Sequence, residues 1–245
     1  MDTALGKGLA VLEAVAAAHG PVRLSRVADD LGLQKSSVHR ILQNLVAAGW
    51  VAQDDDTGLY SATLKVWEIG AGIVEALPVR RAATPILHRL HRDTGETVSL
   101  TVLDGDDVVY LDKIVAPRPM GFTTHVGSRI PAPLTVAGRV MLAHEPDPRS
   151  TIERVAAAVG TERLDVPAAL ADVERALDQG YLVGRGRRER GIVGIASAVP
   201  GRDGRAVAGL TVSAPVQRAD DARRDDIIES LLVATSDLAE AIGRS

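Results

Sequence analysis

Residues 24–62 read LSRVADDLGLQKSSVHRILQNLVAAGWVAQDDDTGLYSA, and the punctuation of this stretch decides the fold. From Ser25, a candidate helix cap, to Leu31 the apolar positions Val27, Ala28 and Leu31 keep helical spacing. Gly32 follows where a tight turn needs a residue that tolerates positive φ. A further helix is predicted from about Lys35 to Ala48, with Val38, Ile41, Leu42 and Leu45 on one face and Gly49 as its stop. Trp50-Val51-Ala52 and Leu59-Tyr60-Ser61 then read as two short strands joined by Asp54-Asp55-Asp56-Thr57-Gly58. Upstream, Leu5, Leu9, Leu12 and Val15 mark a first helix that Gly20-Pro21 ends. Three helices, a glycine turn between the second and third, and a hairpin outline a winged helix-turn-helix over residues 1–62.

The third helix carries the chemistry. At about 100° per residue, its side opposite Val38 presents Ser36, Arg40 and Gln43, flanked by Ser37, His39 and Asn44. From Leu31 to Gln53 no residue is acidic. Hydroxyls, amides and an arginine are the groups that bond base edges and phosphates in a major groove. An isolated helix with such a face would read as merely solvated. Inside a helix-turn-helix it reads as the face turned to double-stranded operator DNA. Gln34 and Lys35 at the helix start, with Arg23 and Arg26 on the second helix, complete the candidate DNA contacts. Backbone amides at Ser36 and Ser37 could also meet a phosphate. Residues 1–62 nevertheless hold five basic and seven acidic groups. The three aspartates of the hairpin tip should be repelled by phosphate, so one copy should bind weakly and a homo-oligomer, a dimer or a dimer of dimers, is expected.

The remaining composition narrows the classes. A chain of 245 residues makes one large domain or two, and 46% hydrophobic with 24% charged residues argues against intrinsic disorder. No apolar run reaches the roughly 18 residues that cross a bilayer, and no signal-type stretch follows Met1–Lys7, so no membrane partner and a cytoplasmic location are expected. The absence of cysteine removes disulfides, thiolate nucleophiles and cysteine-based metal sites. The net charge of −4 confines any nucleic-acid contact to a local patch, and six aromatic residues are too few for a single-strand stacking surface.

Beyond the hairpin, Thr63 to about Ala76 is helical in pattern, with Leu64, Trp67, Ile69 and Ile73 leaving a wide apolar stripe. Such a connector, assigned to residues 63–78, must bury that stripe against a second copy, against its own second domain, or both. Residues 79–245 then alternate hairpins and helices. A helix is expected over Val79–Arg92. Strands are expected at Val98–Leu103 and Val108–Val115 around Asp104-Gly105-Asp106-Asp107, and at Met120–Val126, Tyr181–Gly184, Val193–Val199 and Arg205–Ala214. Further helices are expected over Thr135–His144, Ser150–Val159, Ala168–Gln179 and Asp220–Ile242. The pattern predicts an α+β domain with a largely antiparallel sheet. On Val207–Ser213, one face carries Val207, Gly209, Thr211 and Ser213, and on Val193–Val199 the alternate face is Gly194, Ala196 and Ala198. Small and hydroxyl-bearing residues on one face leave room for a small molecule.

Residues 24–70, together with VGSRIPAPLTVAGRVMLA (126–143) and GYLVGRGRRERGIVGIASAVPGRDGRAVAGLTVSAP (180–215), resemble the IclR-type bacterial transcriptional regulators over nearly the whole chain. The serine-rich start of the third helix followed by His39-Arg40 carries much of the likeness. The resemblance implies a GAF-like second half that binds a small effector, a carboxylate or aromatic metabolite, and a connector that contributes to dimerisation. Carried over by position, Met120, Gly127, Ser128, Gly184, Glu189, Gly194, Thr211 and Ser213 are the candidate effector-binding residues. Gly127 and Ser128 would offer backbone amides, and Thr211 and Ser213 hydroxyls. Many members of that family carry an acidic residue near Gly184 and a bulkier or sulfur-bearing one near Gly194, so the resemblance implies a roomier, less acidic pocket where this chain has two glycines.

The loop GRGRRERG (184–191) gathers Arg185, Arg187, Arg188 and Arg190 around Glu189, either as a solvated basic loop or as a clamp for an anionic effector. No cofactor is implied. His88 and His91 share a helix face, but no third ligand for a metal is evident. No nucleophile elbow, paired-histidine protease motif or dinucleotide fingerprint is present, so no enzyme is expected. Two other readings stay open: a constitutive DNA-binding repressor whose second domain only assembles the oligomer, and a small-molecule enzyme with a vestigial helix-turn-helix.

Overall fold

The first helix, α1 (Ala4–Ala17), starts where the Thr3 hydroxyl accepts the Gly6 amide at 3.1 Å. The chain then runs extended through Val22, whose amide and carbonyl pair with those of Tyr60 at 2.8 and 2.9 Å. That bridge holds the backbone straight up to Arg23, so α2 (Leu24–Leu31) begins from Arg23 and not from the expected cap Ser25, which lies inside the first turn. Gly32 sits at φ 62° and ψ 30°, a left-handed conformation that favours glycine, and turns the chain into α3 (Lys35–Ala47). Strands β1 (Val51–Gln53) and β2 (Tyr60–Ala62) pair antiparallel. Each lies one residue later than the sequence pattern predicts, because the Trp50 amide still closes the end of α3 on the Leu45 carbonyl. Val11, Val15, Val27, Val38, Leu42, Val51 and Tyr60 form the core of this unit. Burying each large aliphatic there contributes about 1.5–3 kcal/mol.

The connector helix α4 (Leu64–Ala76) buries none of its residues. A computed structural model of the chain describes residues 3–18, 20–117, 124–185 and 191–243, and the chain divides into two compact units, Met1–Glu75 and Ala76–Ser245. No described helix is long and apolar enough to cross a membrane.

The second unit opens with α5 (Pro78–Thr94), β3 (Thr97–Asp104), β4 (Asp107–Ile114) and β5 (Arg129–Pro131). A short 3₁₀ turn at Ala132–Leu134 leads into α6 (Val136–Leu142), α7 (Pro148–Val159) and α8 (Val166–Gln179). The chain then adds β6 (Leu182–Arg185), β7 (Ile192–Pro200), β8 (Ala206–Pro215), a second 3₁₀ turn at Val216–Arg218 and the long α9 (Asp221–Gly243). The strands form one antiparallel sheet in the order β5-β4-β3-β8-β7-β6.

Helix starts follow their caps. Thr135 accepts the Gly138 amide, Asp147 the Ser150 amide and Asp165 the Ala168 amide, so α7 and α8 begin two residues before the apolar periodicity does. The strand expected over Met120–Val126 is not formed at 124–126, and its residues 120–123 lie outside the described residues. Gly127, at φ 87°, turns the chain and donates its amide to the Tyr110 carbonyl, so the backbone joins the sheet edge only at Arg129, as β5.

Helices α6, α7 and α8 cover one face of this sheet, and α5 and α9 cover the other. The large inward residues Val98, Leu100, Ile195, Leu210 and Val212 all belong to the α5/α9 face. The α6 face is the one with small and hydroxyl-bearing residues.

Candidate functional site

In the first unit the polar side of α3 is open to solvent. Arg23, Arg26, Gln34, Lys35, Ser36, His39, Arg40 and Gln43 are exposed and Ser37 is half-buried. Val38 and Leu42, on the opposite side, are completely buried and fix which way the helix faces. Both α2 and α3 begin without a side-chain cap, as α5 does, whereas α1, α6, α7 and α8 each have a capping side chain; none of these seven helices has an acidic residue in its first turn. Uncapped amides at the positive end of a helix are available to an anion such as phosphate, but the expected Ser37 amide is not, because it already donates to the Gln34 carbonyl at 3.0 Å.

Two candidates are already engaged. Arg26 makes an exposed ion pair with Asp30 at 3.7 Å, and Gln43 donates to Gln53 Oε1 at 3.2 Å and to the Tyr60 hydroxyl at 3.5 Å. Gln43 therefore ties α3 to the hairpin as well as lining its polar side. At the hairpin tip Asp54 accepts the Thr57 hydroxyl at 2.6 Å and the Thr57 amide at 2.8 Å, bonds that hold its carboxyl below the usual carboxylate range.

In the second unit, strand register assembles a polar patch on the α6 face. Gly184, Gly194, Ser213 and Thr97 lie side by side across four strands. The next row is Leu182, Ala196, Thr211, Ser99 and Lys113, and the third is Ala198, Gly209, Thr101 and Tyr110. Two of these hydroxyls are bonded locally. Thr101 donates to the Gly209 carbonyl at 3.1 Å, and Thr97 accepts the Ala116 amide at 3.0 Å. Lys113 reaches across the rows to donate to the Thr124 carbonyl and hydroxyl at 2.7 and 2.9 Å. Thr211 differs: its Oγ1 is buried with no hydrogen-bond partner. A buried hydroxyl left unbonded costs about 1–3 kcal/mol and is the feature of this face that asks for a ligand atom.

Two expectations need correction. A Cβ at Gly184 would lie 2.9 Å from Val136 Cγ2, and one at Gly194 would lie 3.4 Å from the same methyl. The two glycines therefore do not open a roomier pocket; Val136, the first residue of α6, fills the space they leave. The amides of Gly127 and Ser128 are not free donors, because they already bond the carbonyls of Tyr110 and His125 at 2.8 and 2.9 Å. Ser128 keeps its hydroxyl, which accepts the His125 amide. Met120, Glu189 and the arginines 187, 188 and 190 lie outside the described residues.

Thr97, Ser99, Thr101, Tyr110 and Lys113 were not singled out from sequence, although Thr-x-Ser-x-Thr at 97–101 alternates with the apolar Val98 and Leu100. Arg139 sets the height of α6 above this patch by donating to the Pro133 carbonyl at 2.8 Å and pairing with Asp172 of α8. A separate cavity of about 210 Å³, lined by Val183, Gly184, Val193, Val216, Ala219 and Arg224, opens on the α9 side of the sheet, away from Thr211. Among the described residues no group of three or more acidic or histidine side chains is arranged to hold a metal.

Known proteins match both units. Residues 4–55 match the IclR helix-turn-helix domain, and residues 71–240 match the C-terminal domain of the bacterial transcriptional regulator IclR. The chain is 30% identical to the HTH-type transcriptional regulator KdgR of Escherichia coli K12, covering 91% of this chain and 86% of that one. It is 29% identical to the HTH-type transcriptional repressor AllR of Salmonella typhi, covering 98% and 90%. Among solved structures, a transcriptional regulator from Rhodococcus sp. RHA1 superimposes with a TM-score of 0.83 at 29% identity, over 98% of each chain. An IclR homolog from Microbacterium hydrocarbonoxydans, complexed with 4-hydroxybenzoate, gives 0.83 at 24% identity over 99% and 100%. An exposed, acid-free face on the third helix, an antiparallel sheet with hydroxyls under α6 and family matches to both units make this chain a member of the IclR family of bacterial transcriptional regulators.

Proposed function

We propose that this regulator binds operator DNA as a homodimer or a dimer of dimers in the cytoplasm, and that a small carboxylate or aromatic metabolite alters that binding. Residues 1–62 form the DNA-binding part, 63–78 the linker and 79–245 the part that binds effector and assembles the oligomer. The observation that carries the DNA reading is the exposed run Lys35, Ser36, His39 and Arg40 at the start of a helix that lacks both a cap and an acid. Arg40 and Ser36 reach base edges, while Arg23, Arg26, Gln34, Lys35 and the first amides of α2 and α3 take phosphates. The net negative charge of the unit makes a single copy a weak binder, and pairing doubles the phosphate contacts. The apolar stripe of α4, where Trp67 is 68% and Leu64 76% exposed, supports the pairing.

The effector reading rests on Thr211, whose buried hydroxyl lacks a partner within a patch that includes Ser99, Ser213 and Lys113. A carboxylate or phenol oxygen offers that hydroxyl an acceptor, and the Microbacterium relative's 4-hydroxybenzoate carries both groups. Ligand control then follows from linkage: a metabolite that binds one arrangement of the dimer better shifts the population toward it and changes operator affinity by the same free energy.

A second reading is favoured by Val136, which fills the room above Gly184 and Gly194: the second unit serves assembly alone, and repression is constitutive. One experiment separates the two. Duplexes selected from a random pool by the full-length protein are titrated by fluorescence anisotropy, with and without 4-hydroxybenzoate and related aromatic acids. Selective duplex binding that a ligand shifts supports the full proposal. Selective binding that no ligand shifts leaves the constitutive reading, and failure to select any duplex refutes both.

A further inference from the structure

The last turn of α3 contains no basic residue; the carbonyls of Asn44, Leu45 and Val46 accept the amides of Ala48, Trp50 and Gly49, which leaves the carbonyls of Ala48, Gly49 and Trp50, in the turn after the helix, beside the start of α4. Each is taken there. The Lys65 ammonium donates to the Ala48 carbonyl at 2.8 Å, and the Thr63 hydroxyl donates to the Gly49 carbonyl at 2.8 Å and the Trp50 carbonyl at 3.2 Å. The Thr63 amide adds a bond to the Trp50 carbonyl at 3.0 Å. The same Thr63 oxygen accepts the Lys65 amide at 3.3 Å, so one hydroxyl serves the end of α3 and the first turn of α4 together. Lys65 also lies 4.9 Å from the centre of the Trp50 ring, a cation–π contact that fixes its stem over the junction. A cation at a helix C-terminus meets the negative end of the dipole, and a compact ammonium with three donors suits a cluster of carbonyls. Lysine is scarce here, at four of 28 basic residues, which makes its presence at this junction a specific choice.

We propose that Thr63 and Lys65 are positioning residues that clamp the start of α4 to the end of α3, so that linker and recognition helix turn as one body. The inference rests on the DNA-binding reading above. Rotation of the linker therefore reaches Ser36 and Arg40 through Ala48, Gly49 and Trp50, and the clamp sets how strictly the dimer measures the distance between operator half-sites. Lys65, with its ammonium committed to a helix end, is not a phosphate contact.

The test uses the full-length protein, wild type and the Lys65→Met and Thr63→Val variants, on the duplex selected by the wild type and on versions with half-site spacing changed by one or two base pairs. Wild type is expected to lose about tenfold or more in affinity when the spacing changes, and the variants about threefold or less, because a loosened joint tolerates misplaced half-sites. The slope of log affinity against log salt should stay at the wild-type value, whereas a phosphate contact would lower it by about 1. Thr63→Ser, which keeps the hydroxyl, should restore the strict spacing. A wild-type spacing profile in both variants, or a reduced salt slope in Lys65→Met, overturns the proposal. Loss of helical circular dichroism in both variants also overturns it, since neither residue belongs to the core of this unit. A wild-type protein that selects no duplex refutes the DNA-binding reading instead and is recognisable as such.

Discussion

Replacing Thr211 by valine tests whether the hydroxyl patch under α6 is built for a ligand. Thr211 is 9% exposed, and its Oγ1 has no partner, lying between Ser99 on β3 and Ala196 on β7. Valine keeps the branched shape and exchanges the hydroxyl for a methyl, removing an unbonded polar atom from the interior. Relieving that penalty should stabilise the ligand-free protein by about 1–2 kcal/mol. For a unit of this size each kcal/mol moves the midpoint by about 2–4 °C, so the transition of the second unit should rise by about 2–8 °C. Scanning calorimetry on full-length protein refolded from denaturant, and so stripped of any bound metabolite, gives the readout. Ser213→Ala, at a half-buried site in the neighbouring row, is the control and should stay within about 0.5 kcal/mol of wild type. Affinity for an aromatic acid should move the other way, falling about fivefold or more as one hydrogen bond is lost. A midpoint for Thr211→Val that is unchanged or lower would refute the reasoning, because the hydroxyl would then be satisfied in the folded protein.

Further substitutions probe other parts. Arg40→Ala should weaken binding to the selected duplex by about 1–3 kcal/mol in anisotropy titrations. Gln43→Ala and Gln53→Ala should each cost less, and their double variant less than the sum of the two, because the two amides share one bond. Gly184→Ala puts a Cβ 2.9 Å from Val136 Cγ2 and should cost about 1–3 kcal/mol by calorimetry, against a smaller loss for Gly194→Ala at 3.4 Å. Asp106 receives two bonds from Arg154 at 2.7 Å, which hold its carboxyl below the ordinary carboxylate range. With the folded value depressed, the contribution of this pair is complete above about pH 4 and fades as pH falls through the folded value. Asp106→Asn should therefore melt slightly below wild type at pH 7, by at most about 1 kcal/mol for so solvent-facing a pair, with the gap closing in acid. Equal midpoints at pH 7 would count against it.

The first unit was legible because its determinants are local. Gly32 alone supplies the turn, and the buried Val38 and Leu42 orient α3, so its polar side follows from helical geometry within a dozen residues. The start of α2 was misread because a long-range event, the pairing of Val22 with Tyr60, decides it. In the second unit the strands were mostly found but not their order, since β3 lies against β8 across more than a hundred residues and no local pattern records that neighbour. The patch under α6 was half seen for the same reason. Thr211 and Ser213 were read on their own strand, while Ser99, Thr101 and Lys113 join them only through cross-strand register. Glycine at 184 and 194 suggested empty space because sequence shows what a residue lacks and not which neighbour moves in. The committed amides of Gly127 and Ser128 were hidden likewise, their partners being carbonyls that no side-chain pattern encodes.

Val136 and the bare Cα atoms of Gly184 and Gly194 divide one small volume between a helix and two strands. Bulk can pass from one side of that boundary to the other without moving the backbone: an alanine at 184 becomes tolerable once residue 136 is shortened to alanine. Each such exchange reshapes the wall beside the hydroxyls, and the two substitutions are coupled because they share one volume. The order of those steps is not free. With residue 136 shortened first, a Cβ at 184 no longer meets a branched methyl, whereas the reverse order passes through a 2.9 Å contact.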